Sequence, residues 1–68
     1  MRRQATATRF IEQGLDEYPN SIYPSMQSSW IQATIELAYA QGDIDDGEYV
    51  HYYKRLRLME ARSLGVAA

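Results

Sequence analysis

The chain has 68 residues, no cysteine, one histidine and a formal net charge of −2. It reads as one domain without disulfides or thiolate metal sites, and without the positive excess that draws a protein to nucleic acid or anionic membrane at long range. A chain this short buries only about 60% of the surface its unfolded form exposes, so oligomerisation is the expected extra source of stability.

The N-terminal Met1-Arg2-Arg3 leads into polar Gln4-Ala5-Thr6 rather than an apolar signal core, and no apolar run approaches the roughly 20 residues of a spanning helix. A cytoplasmic protein with no membrane partner is expected. The first periodic segment covers about residues 8–17, where Ala7, Phe10, Ile11 and Leu15 recur at three- and four-residue spacing and Thr6 or Thr8 is placed to cap a helix. Gly14 weakens this helix by roughly 1 kcal/mol relative to alanine, so the helix must lean on a neighbour. Residues 18–25, Tyr-Pro-Asn-Ser-Ile-Tyr-Pro-Ser, hold both prolines and predict an ordered loop in which Ile22 and Tyr23 cover one end of the fold.

The second helix is expected over about residues 26–41, starting after Ser25 or Ser28. Met26, Trp30, Ala33, Thr34 and Leu37 lie on one side of it, and Ile31, Ile35 and Ala38 on an adjoining one. So wide an apolar arc is expected of a helix contacted on two sides, which argues for a second protomer. Gly42 can take the left-handed conformation that ends a helix, and Asp45 with Glu48 three residues later has the spacing of a capping box. The third helix is expected over about residues 46–63, with a stripe of Tyr49, Tyr52, Tyr53, Leu56, Met59 and Leu64, Val50 and Leu58 to the side, and Gly65 as the stop. Acidic Asp45, Asp46 and Glu48 at its start and Lys54, Arg55, Arg57 and Arg62 in its second half complement the helix dipole. The fold class is therefore all-α: a hairpin of two main helices plus a shorter N-terminal helix, assembled as a homodimer.

Catalytic and metal chemistry find little support. Asp43, Asp45 and Gly47 resemble fragments of a calcium loop, but counting from Asp43 puts Glu48 sixth, where glycine is needed, and Lys54 twelfth, where glutamate is needed. His51 lacks the nucleophile, orienting partner and oxyanion donors of a hydrolytic site, and Ser21, Ser25, Ser28 and Ser29 stand in no nucleophile motif. No catalytic, metal or cofactor site is expected, and the reading is non-enzymatic.

Six tyrosines in 68 residues are unusual. A tyrosine ring buries apolar area while its hydroxyl needs water or a partner, which suits interface edges. Tyr49, Tyr52 and Tyr53 span more than one helical face, so Trp30, Tyr49, Tyr52, Tyr53 and Met59 are the expected self-association residues. Arg55, Arg57 and Arg62 form the expected surface for a second protein. The alternative is a nucleic-acid-binding regulator using the basic second half of the third helix, with Arg2, Arg3 and Arg9 as a further cluster and tyrosines stacking on bases. The acidic residues on the same helix and the absence of recognition-helix grammar weigh against it.

Residues 35–59 carry Leu37, Gly42, Ile44, Asp45, Glu48, Tyr49, Lys54 and Leu58 in an order that resembles the SHOCT-type short C-terminal helical hairpin of bacterial proteins. The segment departs from that pattern in having Gly47 in the first helical turn, and 34 residues before it lie outside the pattern. The resemblance implies an oligomerisation or interaction module without catalysis. The size of the chain also resembles that of small accessory proteins of bacteriophages and bacteria.

Overall fold

The computed structural model describes residues 3–63, with the side chains of Arg3 and Gln4 outside the description. It contains three α-helices, α1 (Arg3–Glu17), α2 (Pro24–Ala40) and α3 (Asp46–Ser63), with a 3-10 turn over Tyr18–Asn20 between the first two. The expected all-α class holds, with no strand among the described residues. Leu64 and Gly65, assigned above to the end of a stripe and to a helix stop, lie outside the described residues, as does Arg2.

Helix α1 begins several residues before the expected start. Thr8 does not cap it; its hydroxyl donates to the Ala5 carbonyl at 3.2 Å, one turn back inside the helix. Ile11 and Leu15 are fully buried, and Tyr18 joins them at the next turn of the same face. The 3-10 turn allows this, because it continues the helical path for three residues and the Ser21 N–H closes it on the Tyr18 carbonyl at 3.0 Å. Tyr18, rather than Ile22 and Tyr23, therefore closes that end of the core. Ile22 and Tyr23 stand exposed on the far side of the turn.

Helix α2 starts at Pro24, the first helical position, where a missing N–H leaves nothing unsatisfied and the ring presets φ. Ser25 and Ser28 sit inside the helix instead of before it. Its core face is Ile31, Ile35 and Ala38, the adjoining stripe of the sequence reading, while Met26, Trp30 and Leu37 are exposed. The core is completed by Ile44 from the corner and by Tyr52 and Leu56 from α3, with Ala7, Tyr49, Tyr53 and Met59 packed against it.

The corner between α2 and α3 follows the expected chemistry closely. Gly42 has φ +76°, the Gly42 N–H donates to the Tyr39 carbonyl at 3.0 Å, and the Asp43 N–H donates to the Ala38 carbonyl at 2.8 Å. That pair of bonds is a Schellman motif, which satisfies carbonyls the ending helix leaves open. Three residues on, the Asp45 N–H donates to Glu48 Oε1 at 3.0 Å and the Glu48 N–H to Asp45 Oδ1 at 2.8 Å, a complete capping box. Ile44 is buried between the two motifs.

Gly14 proves to be a contact rather than a simple weakness. A Cβ placed there would lie 2.9 Å from both Ile31 Cγ1 and Trp30 Cζ3. The neighbour that α1 leans on is thus α2, which also reaches back through Gln27 Nε2 donating to the Gly14 carbonyl at 3.1 Å. Gly14→Ala is expected to lower stability by a net of about 1 kcal/mol, overpacking outweighing the gain in helix propensity, and to lower Tm by roughly 4–8 °C in a thermal melt. Asp45→Ala removes the cap of α3 and is expected to lower stability by about 1 kcal/mol, read from the denaturant midpoint.

Candidate functional site

The residues singled out by the sequence do not converge on one place. Tyr52 is 6% exposed and belongs to the core of the single chain, which removes it from the self-association set. Met59 packs at the closed end of the core near Tyr18 and Pro24. Trp30 lies on the outer α1–α2 side, whereas Tyr49 and Tyr53 lie on the α2–α3 side. Two separate surfaces result.

The first is apolar. Met26 (70% exposed), Trp30 (48%) and Leu37 (58%) recur along α2 at four- and seven-residue spacing, and Phe10 (49%) flanks them from α1. Phe10 and Leu37 line one shallow depression, and Phe10 and Trp30 line another. These side chains form an exposed apolar row along one side of α2.

The second surface is a network. Tyr39 and Tyr49 rings sit 4.3 Å apart across the hairpin, and Tyr49 and Tyr53 rings 5.0 Å apart, edge to face, along α3. Glu36 of α2 accepts hydrogen bonds from both phenols, Tyr49 at 3.0 Å and Tyr53 at 2.5 Å. Tyr39 donates to Asp46 Oδ1 at 2.5 Å. The Arg57 guanidinium lies 5.4 Å from the Tyr53 ring centre and pairs with Glu60 at 2.7 Å, and Glu60 also accepts from the Ser28 hydroxyl. Two of the pairs across the hairpin are equidistant from Ile44. Tyr39 and Tyr49 are each five residues away, and Ser28 and Glu60 each sixteen, as two antiparallel helices of equal rise require.

Charge follows from these contacts. Burial, then the hydrogen bond to Glu36, raises the Tyr53 phenol well above the ordinary tyrosine value. The bond to Glu36 raises Tyr49, and the bond to Asp46 raises Tyr39. Burial and the nearby Glu12 carboxylate raise Tyr52. Burial works to raise Glu60, but hydrogen bonds from Ser28 and Arg57 prevail and hold its carboxyl below the usual range.

The expected arginine surface is largely committed within the chain. Arg55 Nη1 contacts both Glu12 carboxylate oxygens, at 2.6 and 2.7 Å, tying α3 to α1, and lies 5.9 Å from the Tyr52 ring centre. Arg57 is held by Glu60 and Tyr53, while Arg62 is exposed in the last turn. His51 is exposed with its ring 5.2 Å from Tyr52, and no cluster of metal-ligating side chains occurs among the described residues. Among the described residues no helix is long and apolar enough to cross a membrane.

Sequence reasoning missed Glu36, Glu12 and Glu60, since each has a partner in another helix. Reflection of the sequence about Ile44 would have placed Glu36 opposite the Tyr49–Tyr53 turn. No family model matches the chain, and no curated protein or solved structure matches it either.

Because the folded chain holds the Tyr53 proton more tightly than the unfolded chain does, Tyr53 adds stability that is full below about pH 10 and is lost as pH rises through its folded value. Denaturant midpoints measured across that range are expected to fall with rising pH, and to fall less in Tyr53→Phe.

Proposed function

We propose that the chain is a non-enzymatic protein–protein interaction module that self-associates as a homodimer, in the manner of a small bacterial or phage accessory or regulatory protein. The observation that carries this reading is the exposed Met26–Trp30–Leu37 row on α2, flanked by Phe10. The wide apolar arc of α2 thus has its core side covered by α1 and α3 and its outer side open for a second copy. Trp30 is the central residue of that row, and a large aromatic amid smaller apolar neighbours is the usual composition of an interface hot spot. The resemblance of residues 35–59 to a SHOCT-type hairpin supports the same class of function.

Nucleic-acid binding is the weaker reading. Arg55 and Arg57 are paired with Glu12 and Glu60 and would have to give up those partners to reach phosphates. A cytoplasmic location fits the reading but adds nothing to the argument.

Sedimentation velocity across a concentration series is the test. A reversible dimer is expected, weakened roughly 30-fold or more by Trp30→Ala, the scale of a hot-spot truncation. Since Trp30 also packs over Gly14, Leu37→Asp serves as the companion variant, expected to abolish the dimer while keeping the helical circular dichroism of the parent. A parent that stays monomeric at every soluble concentration, or variants that dimerise like the parent, would overturn the proposal.

A further inference from the structure

The outer row of α2 is complementary to itself. Met26, Trp30, Ala33 and Leu37 are all exposed, and their spacing of four, three and four residues reads the same in both directions about a point between Ile31 and Gln32. A two-fold axis crossing α2 at that point, perpendicular to the helix, sets the row against its own copy with the helices antiparallel. Met26 then meets Leu37 of the second copy, and Trp30 meets Ala33, the one small side chain of the row. Side-chain size selects this direction. A parallel pairing would set Trp30 against Trp30 and Ala33 against Ala33, crowding one level of the seam and leaving a void at the next, whereas antiparallel pairing offers the large side chain a small one.

Charge favours the same direction. Helix α2 carries one charged residue, Glu36, which accepts hydrogen bonds from Tyr49 and Tyr53 on the α3 side, so self-pairing of the outer row brings no like charges together. Helix α1 runs antiparallel to α2, with Ala7 and Phe10 beside Leu37 and with Glu17 beside Gln27. Gly14 lies against Trp30 and Ile31, one residue short of the axis along α2, so the axis stands at the level of Gln13 on α1. Arg9 and Glu17, both exposed, are four residues to either side of Gln13. The axis therefore brings Arg9 of each copy to the level of Glu17 of the other, while parallel copies would set arginine beside arginine and glutamate beside glutamate.

We infer that the homodimer is an antiparallel pairing of α2 with α2 of the second copy, Trp30 seated on Ala33 and Met26 on Leu37, flanked by reciprocal Arg9–Glu17 pairs between the two α1 helices. The inference rests on the homodimer reading above and adds to it a direction, a register and a polar flank.

The chain has no cysteine, so single introduced thiols report the register. Met26→Cys, Ala33→Cys and Leu37→Cys are each brought to a concentration at which sedimentation shows a dimer, then treated with a bismaleimide whose reach of about 10 Å suits two packed helices. Ala33→Cys is expected to link to itself. Met26→Cys and Leu37→Cys alone are not, because the two copies of either position stand about 16 Å apart along the helix axes, but an equimolar mixture of the two is expected to link. Self-linking of Met26→Cys or Leu37→Cys, or a mixture that dimerises without linking, would overturn the inference and leave the homodimer reading standing. Arg9→Glu and Glu17→Arg are each expected to weaken the dimer about fivefold, and the double variant to regain the parent's affinity. Weakening that accumulates in the double variant would overturn the polar flank. A parent that stays monomeric at every soluble concentration would overturn both readings.

Discussion

Ile44 is held between a helix that has just closed and one that is about to open, and this corner sets the position of nearly every contact that follows. The Schellman bonds donated by the Gly42 and Asp43 N–H groups fix where α2 stops, and the Asp45–Glu48 box fixes where α3 starts. With both ends defined and equal rise on each side, residues at equal distance from Ile44 lie at the same level of the hairpin. The aromatic contact of Tyr39 with Tyr49 and the hydrogen bond of Ser28 to Glu60 are two readings of the same register, one near the corner and one four turns away. A shift of one residue at the corner would rotate α3 by about 100° and separate both pairs.

Helix α2 is apolar around much of its circumference because it lies between two others. Ile31, Ile35 and Ala38 form the part that a three-helix core of this size can enclose, and the tyrosine network decorates its α3 side. The remaining apolar side chains face outward. Among the described residues they are open surface. The polar side of the molecule is built with economy: one carboxylate, Glu36, receives two phenols, and another, Glu60, joins α2 to the end of α3.

Much of this was legible in the residues. The three helices, the hairpin and the corner follow from periodicity and capping chemistry, which are local and act within a few positions. The orientation of α2 was less accessible, since Ile31–Ile35–Ala38 and Met26–Trp30–Ala33–Leu37 both have helical spacing and periodicity cannot rank one apolar stripe over the other. The structure places Ile31, Ile35 and Ala38 inward and leaves Met26, Trp30 and Leu37 exposed. Burial of Tyr52 with partial exposure of Tyr49 and Tyr53 likewise depends on the angle at which α3 meets α1 and α2. The start of α1 was missed because threonine hydroxyls serve equally as caps and as donors one turn back, and Thr8 does the latter. Pairs such as Arg55 with Glu12, 43 positions apart, carry no signature in the chain until the helices are placed.

Trp30 is the one tryptophan, and its ring lies over Gly14 on the side of α2 away from Tyr39, Tyr49 and Tyr53. The molecule therefore carries two natural optical labels on two different seams. Indole emission reports whether α1 is docked on α2, while near-ultraviolet tyrosine dichroism is weighted toward the seam between α2 and α3. If the hairpin outlives the docking of α1 during unfolding, the two signals will part company, and the chain will disclose a folding intermediate without any added dye.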